Sequence, residues 1–280
     1  MSRTKTDFFN NQPIYIDKKR LIRLSSGKRQ RDICFMDFTT DDFLGGKVRL
    51  RQPVSGYRAT SDAVLLAAAI EAKSAEKILD IGCGSGAVAL CAAARCPDAS
   101  VTGLELQPEM AALARENIAL NQMGDRLSVT EADIRAKRID GVPTGAFDWV
   151  ATNPPFILEN QPSPDKVRDT AHRESDCPLS DWIFNSLRYV NARGHFALIN
   201  RADRLPEILS LLYGRLGGIR VIPIWTKEGE PAKRVVIVGR KGSKSPAVLE
   251  TGVVLTDKNG QKTEKADAIM RFGAPLSDKA

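Results

Sequence analysis

The sequence has no uninterrupted apolar run of about eighteen residues, so no ordinary membrane-spanning helix is expected. Its first residues carry Arg3, Lys5, Lys18, Lys19 and Arg20 but no apolar core segment, which is not the pattern of a secretory signal peptide. The five cysteines (Cys34, Cys83, Cys91, Cys96, Cys177) are odd in number and lack paired zinc-type spacing. A disulfide framework and a zinc site are therefore not indicated, and reduced thiols in a cytoplasmic protein are the simplest expectation. There are two histidines, His172 and His195. A lone histidine is more often structural or solvated, and neither is given a catalytic role. Internal repeats and long low-complexity linkers are also missing.

What remains is a chain of 280 residues, enough for one large α/β domain or one domain with an appendage. The formal charge of +7 suits a polyanionic partner, although many proteins without a nucleic-acid role carry as much. Residues 1–35 hold the basic cluster Lys18, Lys19, Arg20, Arg23, Lys28, Arg29, Arg31. They read equally as an arm that contacts phosphates, as a solvated tail, or as an extension upstream of Met36. Residues 36–75 read as a hairpin about Gly45-Gly46 followed by a buried helix over 63–72 with Thr60 or Ser61 as N-cap.

From residue 77 strands and helices alternate. Strands are expected at 77–81, 100–104, 127–132, 147–152, 195–200, 219–225 and 234–239. Helices are expected at 87–95, from Pro108 to before Gly124, from Ser180 as cap to Gly194 as stop, and around 205–216. Such alternation predicts an α/β fold, doubly wound about a mostly parallel sheet, with ligands beyond the C-terminal strand ends. Residues 76–242 form this expected core. Residues 243–280 form a C-terminal extension, with a strand over 248–255 and a short capped helix over 263–270, to which no chemistry is assigned.

Two constellations carry chemistry. Asp80-Ile81-Gly82-Cys83-Gly84-Ser85-Gly86 lies between a strand and a helix, where glycines permit a tight turn and close approach of a ligand to a helix N-terminus. The loop alone leaves NAD, FAD and S-adenosylmethionine open, since Gly82-x-Gly84-x-x-Ala87 also satisfies the dinucleotide fingerprint. Three acids narrow the choice. Asp80 stands where a carboxylate could meet an amino-acid ammonium, Glu105 where one takes ribose hydroxyls, and Asp133 where one accepts from an adenine amine. Leu106 and Ile134, next in sequence to two of these acids, join the cofactor set, as does Arg58 beside Tyr57 and Asp62. An amino acid joined to adenosine is S-adenosylmethionine, and no metal is required.

The second constellation is the strand exit Phe147-Asp148-Trp149-Val150-Ala151-Thr152-Asn153-Pro154-Pro155-Phe156. The Asn153 amide oxygen can accept from an exocyclic amine, the proline pair fixes the turn, and Phe156 offers a ring face for stacking. Asn153 thereby serves both the amine and the cofactor side.

With these residues, the chain resembles class I methyltransferases that modify exocyclic amines. The segment from Phe43-Leu44-Gly45-Gly46 through Gly56-Tyr57-Arg58-Ala59-Thr60-Ser61-Asp62-Ala63-Val64-Leu65-Leu66 is more specific. It resembles the bacterial tRNA (adenine-N6)-methyltransferase family, which acts on an anticodon-loop adenine of valine tRNA. The resemblance runs from about Asp37 onward. It implies a Rossmann-like sheet of seven strands, the last antiparallel, with a tRNA substrate and Asn153, Pro154 and Phe156 as catalytic residues. An unpaired or flipped adenine would place both N6 hydrogens on the Asn153 oxygen and the Pro154 carbonyl. Arg51, Arg58 and the loop 159–173 with Lys166 and Arg168 could meet phosphates, or be ordinary surface charge. The Asn-Pro-Pro-Phe motif is shared with ribosomal-RNA guanine-N2 enzymes and, in a Tyr form, with protein-glutamine and DNA-adenine enzymes. It leaves the substrate open among these, and a nicotinamide-dependent oxidoreductase stands as the rival of a different class.

Asn153→Ala is expected to abolish methyl transfer while cofactor affinity, measured by calorimetry, stays nearly intact. Loss of both together would remove the assigned role.

Overall fold

A computed structural model of the chain describes residues 16–17, 37–55, 58–155 and 177–277. Ile16–Asp17 (β1), Phe38–Phe43 (β2) and Val48–Pro53 (β3) form a small antiparallel sheet, with a 3-10 turn at Leu44–Gly46 between the last two. Ser61–Ala69 (α1) follows, and the Thr60 hydroxyl caps it by accepting from the Asp62 N–H.

The main sheet then builds outward from its centre. Its elements are Lys77–Ile81 (β4), Ala87–Arg95 (α2), Ser100–Glu105 (β5), Pro108–Leu120 (α3), Leu127–Glu131 (β6) and Phe147–Thr152 (β7). Leu179–Leu187 (α4), Val190–Arg201 (β8), Leu205–Leu212 (α5), Leu216–Lys227 (β9) and Arg234–Lys241 (β10) complete the expected seven strands. Two short strands, Val248–Leu249 (β11) and Val253–Thr256 (β12), both pair with β9. The strand order is β11-β9-β10-β8-β7-β4-β5-β6, and β10 runs antiparallel to both β8 and β9. The doubly wound sheet with an antiparallel last core strand is as expected.

One face of the sheet packs on α1 and α2 through small side chains such as Ala67, Ala68, Ala89, Ala92 and Ala93, which let the helices approach closely. The other face packs on α4 and α5 through Ile183, Leu187, Ile208 and Leu212. Strand β4 is buried on both faces, as parallel strands between two helix layers are.

Three local expectations are corrected. Ser180 does not cap α4, which begins at Leu179 after Pro178. Gly194 does not stop that helix but lies inside β8, opposite β7. A Cβ there would meet the carbonyl oxygens of Phe147 and Asp148 at 2.9 Å, so this glycine serves close strand approach at a register shift. The strand expected over 248–255 is two separate pieces, β11 and β12. The helix expected over 263–270 forms as Glu264–Asp267 (α6), capped by the Thr263 hydroxyl, and continues as a wider turn to Phe272.

His195 stacks on Trp149 with ring centroids 4.4 Å apart, and burial holds its imidazole below the usual range, as befits a core side chain. No helix among the described residues is long and apolar enough to cross a membrane.

The C-terminal segment is fastened to α1 through Arg95. Its guanidinium donates to the Gly273 carbonyl at 2.9 Å, to the Ile70 carbonyl at 2.8 Å and to the Ala67 carbonyl. Arg95→Ala should cost about 2–4 kcal/mol in urea unfolding, because it strands helix-end carbonyls. An unchanged midpoint would mean that the apolar contacts of Ile269, Met270 and Leu276 suffice.

Candidate active site

The sheet reverses its order of growth between β4 and β7, and open α/β sheets bind ligands beyond the strand ends at that point. Three neighbouring exits meet there: Gly82 after β4, Leu106 after β5 and Asn153 after β7.

Asp80 ends up 1 % exposed, with its Oδ2 accepting the Ala89 N–H at 3.0 Å in the first turn of α2. Glu105, 6 % exposed, accepts the Gly84 N–H on Oε2 and the Gln107 N–H on Oε1, each at 2.8 Å. The N–H groups of Gly82 and Cys83 both donate to the Leu104 carbonyl. The loop is thus laced to the end of β5 by backbone hydrogens, which requires the turn that Gly82 makes at φ +71. Burial pushes the Asp80 carboxyl up to about 7, and the neighbouring Glu105 charge pushes the same way. Burial raises Glu105 as well, against the lowering effect of the Gln107, Gly84 and Leu106 backbone N–H groups.

Leu106 is an apolar side chain left 56 % exposed at the β5 exit, while Ile134 is buried beyond β6. Asp133 forms a two-pronged pair with Arg135, at 2.6 Å between Oδ2 and Nη2, which holds its carboxyl below the usual range. An adenine amine would have to share that carboxylate with Arg135. Gly86 takes φ +90 as the residue before α2.

Asn153 follows the fully paired end of β7, and its Oδ1 is buried without a hydrogen-bond partner among the described residues. A buried acceptor left unmatched costs roughly 1–3 kcal/mol, and a ligand, a water or a further protein group that brings a donor relieves that cost. Pro154 is buried beside it. Phe156, Tyr57, His172 and the loop 159–173 lie outside the described residues.

Arg58 is not brought into this group. Its guanidinium binds Thr39 Oγ1 and the Pro53 carbonyl at 2.8 Å each, and pairs with Asp41, so its donors serve the N-terminal hairpin. Arg51 lies over the Phe38 ring at 4.6 Å and pairs with Glu116 at 3.6 Å. Asp62 pairs with Arg234 at 3.0 Å.

Two residues that the sequence reading passed over stand at the site. Asn117, fully buried, accepts the Arg51 N–H and donates to the Arg51 and Ser85 carbonyls, joining α3, the hairpin and the glycine loop. Its signal was a polar residue on the buried Ala111–Ala114–Ile118 stripe of α3. Trp182 on α4 donates its Nε1–H to Thr152 Oγ1 at 2.7 Å. It lies at helical spacing with the buried Leu179 and Ser186, so nothing in the sequence separates it from core.

Comparison with known proteins gives a consistent result. Residues 58–172 match the family model described as methyltransferase small domain. The tRNA1(Val) (adenine(37)-N6)-methyltransferase of Porphyromonas gingivalis is 32% identical over 195 residues, covering 66% of this chain and 76% of that protein. The enzyme of the same name from Actinobacillus pleuropneumoniae (serotype 7) is 28% identical over 214 residues, covering 74% and 86%. Among solved structures, a predicted O-methyltransferase from Agrobacterium tumefaciens superposes with a TM-score of 0.66 at 27% identity, covering 78% of this chain and 100% of that one.

A cationic ligand group at Asp80 would displace the proton that burial holds there up to about 7. Affinity for S-adenosylhomocysteine, read by calorimetry, should therefore rise from about pH 6 to about pH 8 with proton release to the buffer. Asp80→Asn should flatten that rise. A wild-type affinity independent of pH would take Asp80 out of ammonium recognition.

Proposed function

The chain belongs to the tRNA1(Val) (adenine(37)-N6)-methyltransferase family and is an S-adenosylmethionine-dependent methyltransferase, and we propose that it methylates N6 of an unpaired adenine in tRNA. Membership in this family leaves the nicotinamide-dependent alternative without support.

The observation that carries the reading is the buried Asn153 Oδ1, without a partner among the described residues, at the strand end beside the glycine loop. An exocyclic amine has two hydrogens, and two neutral acceptors would take them at this exit, the Asn153 amide oxygen and the Pro154 carbonyl. A hydroxyl has a single hydrogen and must lose it to react. The pair of acceptors therefore favours an amine over the oxygen acceptor named for the Agrobacterium relative.

The residues at the other exits suit the cofactor. Asp80 would take its ammonium, Glu105 the ribose hydroxyls on the lone pairs left by the Gly84 and Gln107 donors, and Leu106 the adenine face. Gly82, Gly84 and Gly86 keep side chains out of the approach, with Ile134 and Asp133 closing the adenine end. S-adenosylmethionine supplies a methyl group on a positively charged sulfur.

The rest is done by the chain. An adenine N6 lone pair is delocalised into the ring, so the amine is a poor nucleophile until its hydrogens are held out of competition. Asn153 and Pro154 would fix both hydrogens, aim the lone pair at the methyl carbon and favour the positive charge the nitrogen gains. Phe156 would stack on the base. The excess proton can leave to solvent after transfer, so the chemistry asks for no histidine. A base inside a helix cannot reach such an exit, which is why an unpaired or flipped adenine is the substrate. The charge of +7 suits a polyanionic partner of this kind.

Labelled methyl transfer into fractionated cellular RNA, followed by nucleoside analysis, tests the proposal. Label in N6-methyladenosine of the tRNA fraction is expected. Label in N2-methylguanosine or in protein glutamine would reassign the substrate.

A further inference from the structure

The Nε1–H of Trp182 is that ring's single donor, so Thr152 Oγ1 must act as the acceptor of their 2.7 Å bond. That leaves the hydroxyl hydrogen of Thr152 for its second neighbour, the Ile81 carbonyl at 2.9 Å. Thr152 is fully buried, so water does not compete for either bond. Ile81 and Thr152 are register partners and the last residues of β4 and β7. The next residues along the two strands are Gly82 and Asn153, which begin the glycine loop and the amine site. The same indole also lies against Gly82, where an added Cβ would come within 2.9 Å of Cζ2 and 3.1 Å of Cη2.

From this we propose that Trp182 is a positioning residue, which through Thr152 fixes the distance between the glycine loop and Asn153. The inference rests on the methyltransferase reading of that crevice. Methyl transfer needs donor carbon and acceptor nitrogen in line and close, and the two partners sit on different strand exits. Backbone pairing of β4 with β7 ends at Ile81 and Thr152, so it does not extend to the residues that hold either partner. The relay ties that last pair a second time through a side chain, and the indole edge reaches one residue further, to Gly82. Trp182 also anchors α4 there, since its backbone carbonyl accepts from Ser186 Oγ and its N–H donates to the Pro178 carbonyl.

Two variants separate positioning from packing. Trp182→Phe keeps an aromatic ring on α4 and removes the donor, and Thr152→Val keeps the volume and removes the hydroxyl. Each should lower kcat about tenfold, the scale of one lost directional hydrogen bond, while Tm, cofactor KM and S-adenosylhomocysteine affinity stay near wild type. The double variant should be no slower than either single one, because both break the same relay. Thr152→Ser should retain kcat. Unchanged kcat, multiplying effects, or a fall in Tm and affinity in step with kcat would each overturn the proposal.

An arm without turnover distinguishes its failure from that of the assigned substrate. S-adenosylhomocysteine binding should change the wild-type tryptophan emission, and Trp182→Phe should remove most of that change. A full response retained in the variant would show that Trp182 does not adjoin the cofactor, whatever the RNA assay finds. An intact fluorescence result with no methyl transfer to tRNA would instead fault the substrate.

Discussion

A carboxylate that is out of water and has both oxygens occupied by backbone hydrogens is the constraint on which the site depends. Glu105 receives Gly84 from the loop after β4 and Gln107 from the turn after β5, so one side chain sets the shape of two neighbouring exits. Asp80 repeats the device one strand over, receiving Ala89 from the first turn of α2. Burial raises the protonation of both acids, the Glu105 charge adds to the rise at Asp80, and backbone donors to each offset part of that cost. A ligand that brings an ammonium and ribose hydroxyls would relieve what the protein alone only partly satisfies.

The rest of the molecule can be understood as holding those exits still. Asn117 fastens the hairpin to α3 and to the Ser85 carbonyl of the loop. Arg95 closes the C-terminal end of α1 and collects the C-terminal segment. Arg58, Asp41, Thr39 and Gln52 make the hairpin rigid by their own network. Among the described residues, the Asn153 amide oxygen is a buried acceptor at the crevice that has no hydrogen-bond partner.

Much of this was legible from the chain. The period-two strands and helical stripes are local, so the alternation from Lys77 to Lys241 and the places of Asp80, Glu105 and Asn153 at neighbouring exits could be read directly. Contacts between residues distant in sequence could not. Trp182 meets Thr152 thirty residues away, and Arg58 meets Asp41 and Thr39 rather than the glycine loop. Gly194 looked like a helix stop because glycine serves both helix ends and close strand approach, and only the sheet register decides between them. The Asp133–Arg135 pair is local, yet the sequence does not decide whether an acid at a strand end meets a ligand or its own neighbour.

The account makes one arrangement central: cofactor held across the β4 and β5 exits with its sulfur facing the Asn153 amide oxygen at the β7 exit. A crystal structure of the complex with S-adenosylhomocysteine tests it most directly. The account predicts the ligand's amino group at Asp80, its ribose hydroxyls on Glu105, its adenine against Leu106, and Asn153 Oδ1 left for an incoming amine. A ligand whose own amine occupies Asn153 Oδ1, or whose ribose lies away from Glu105, would contradict it.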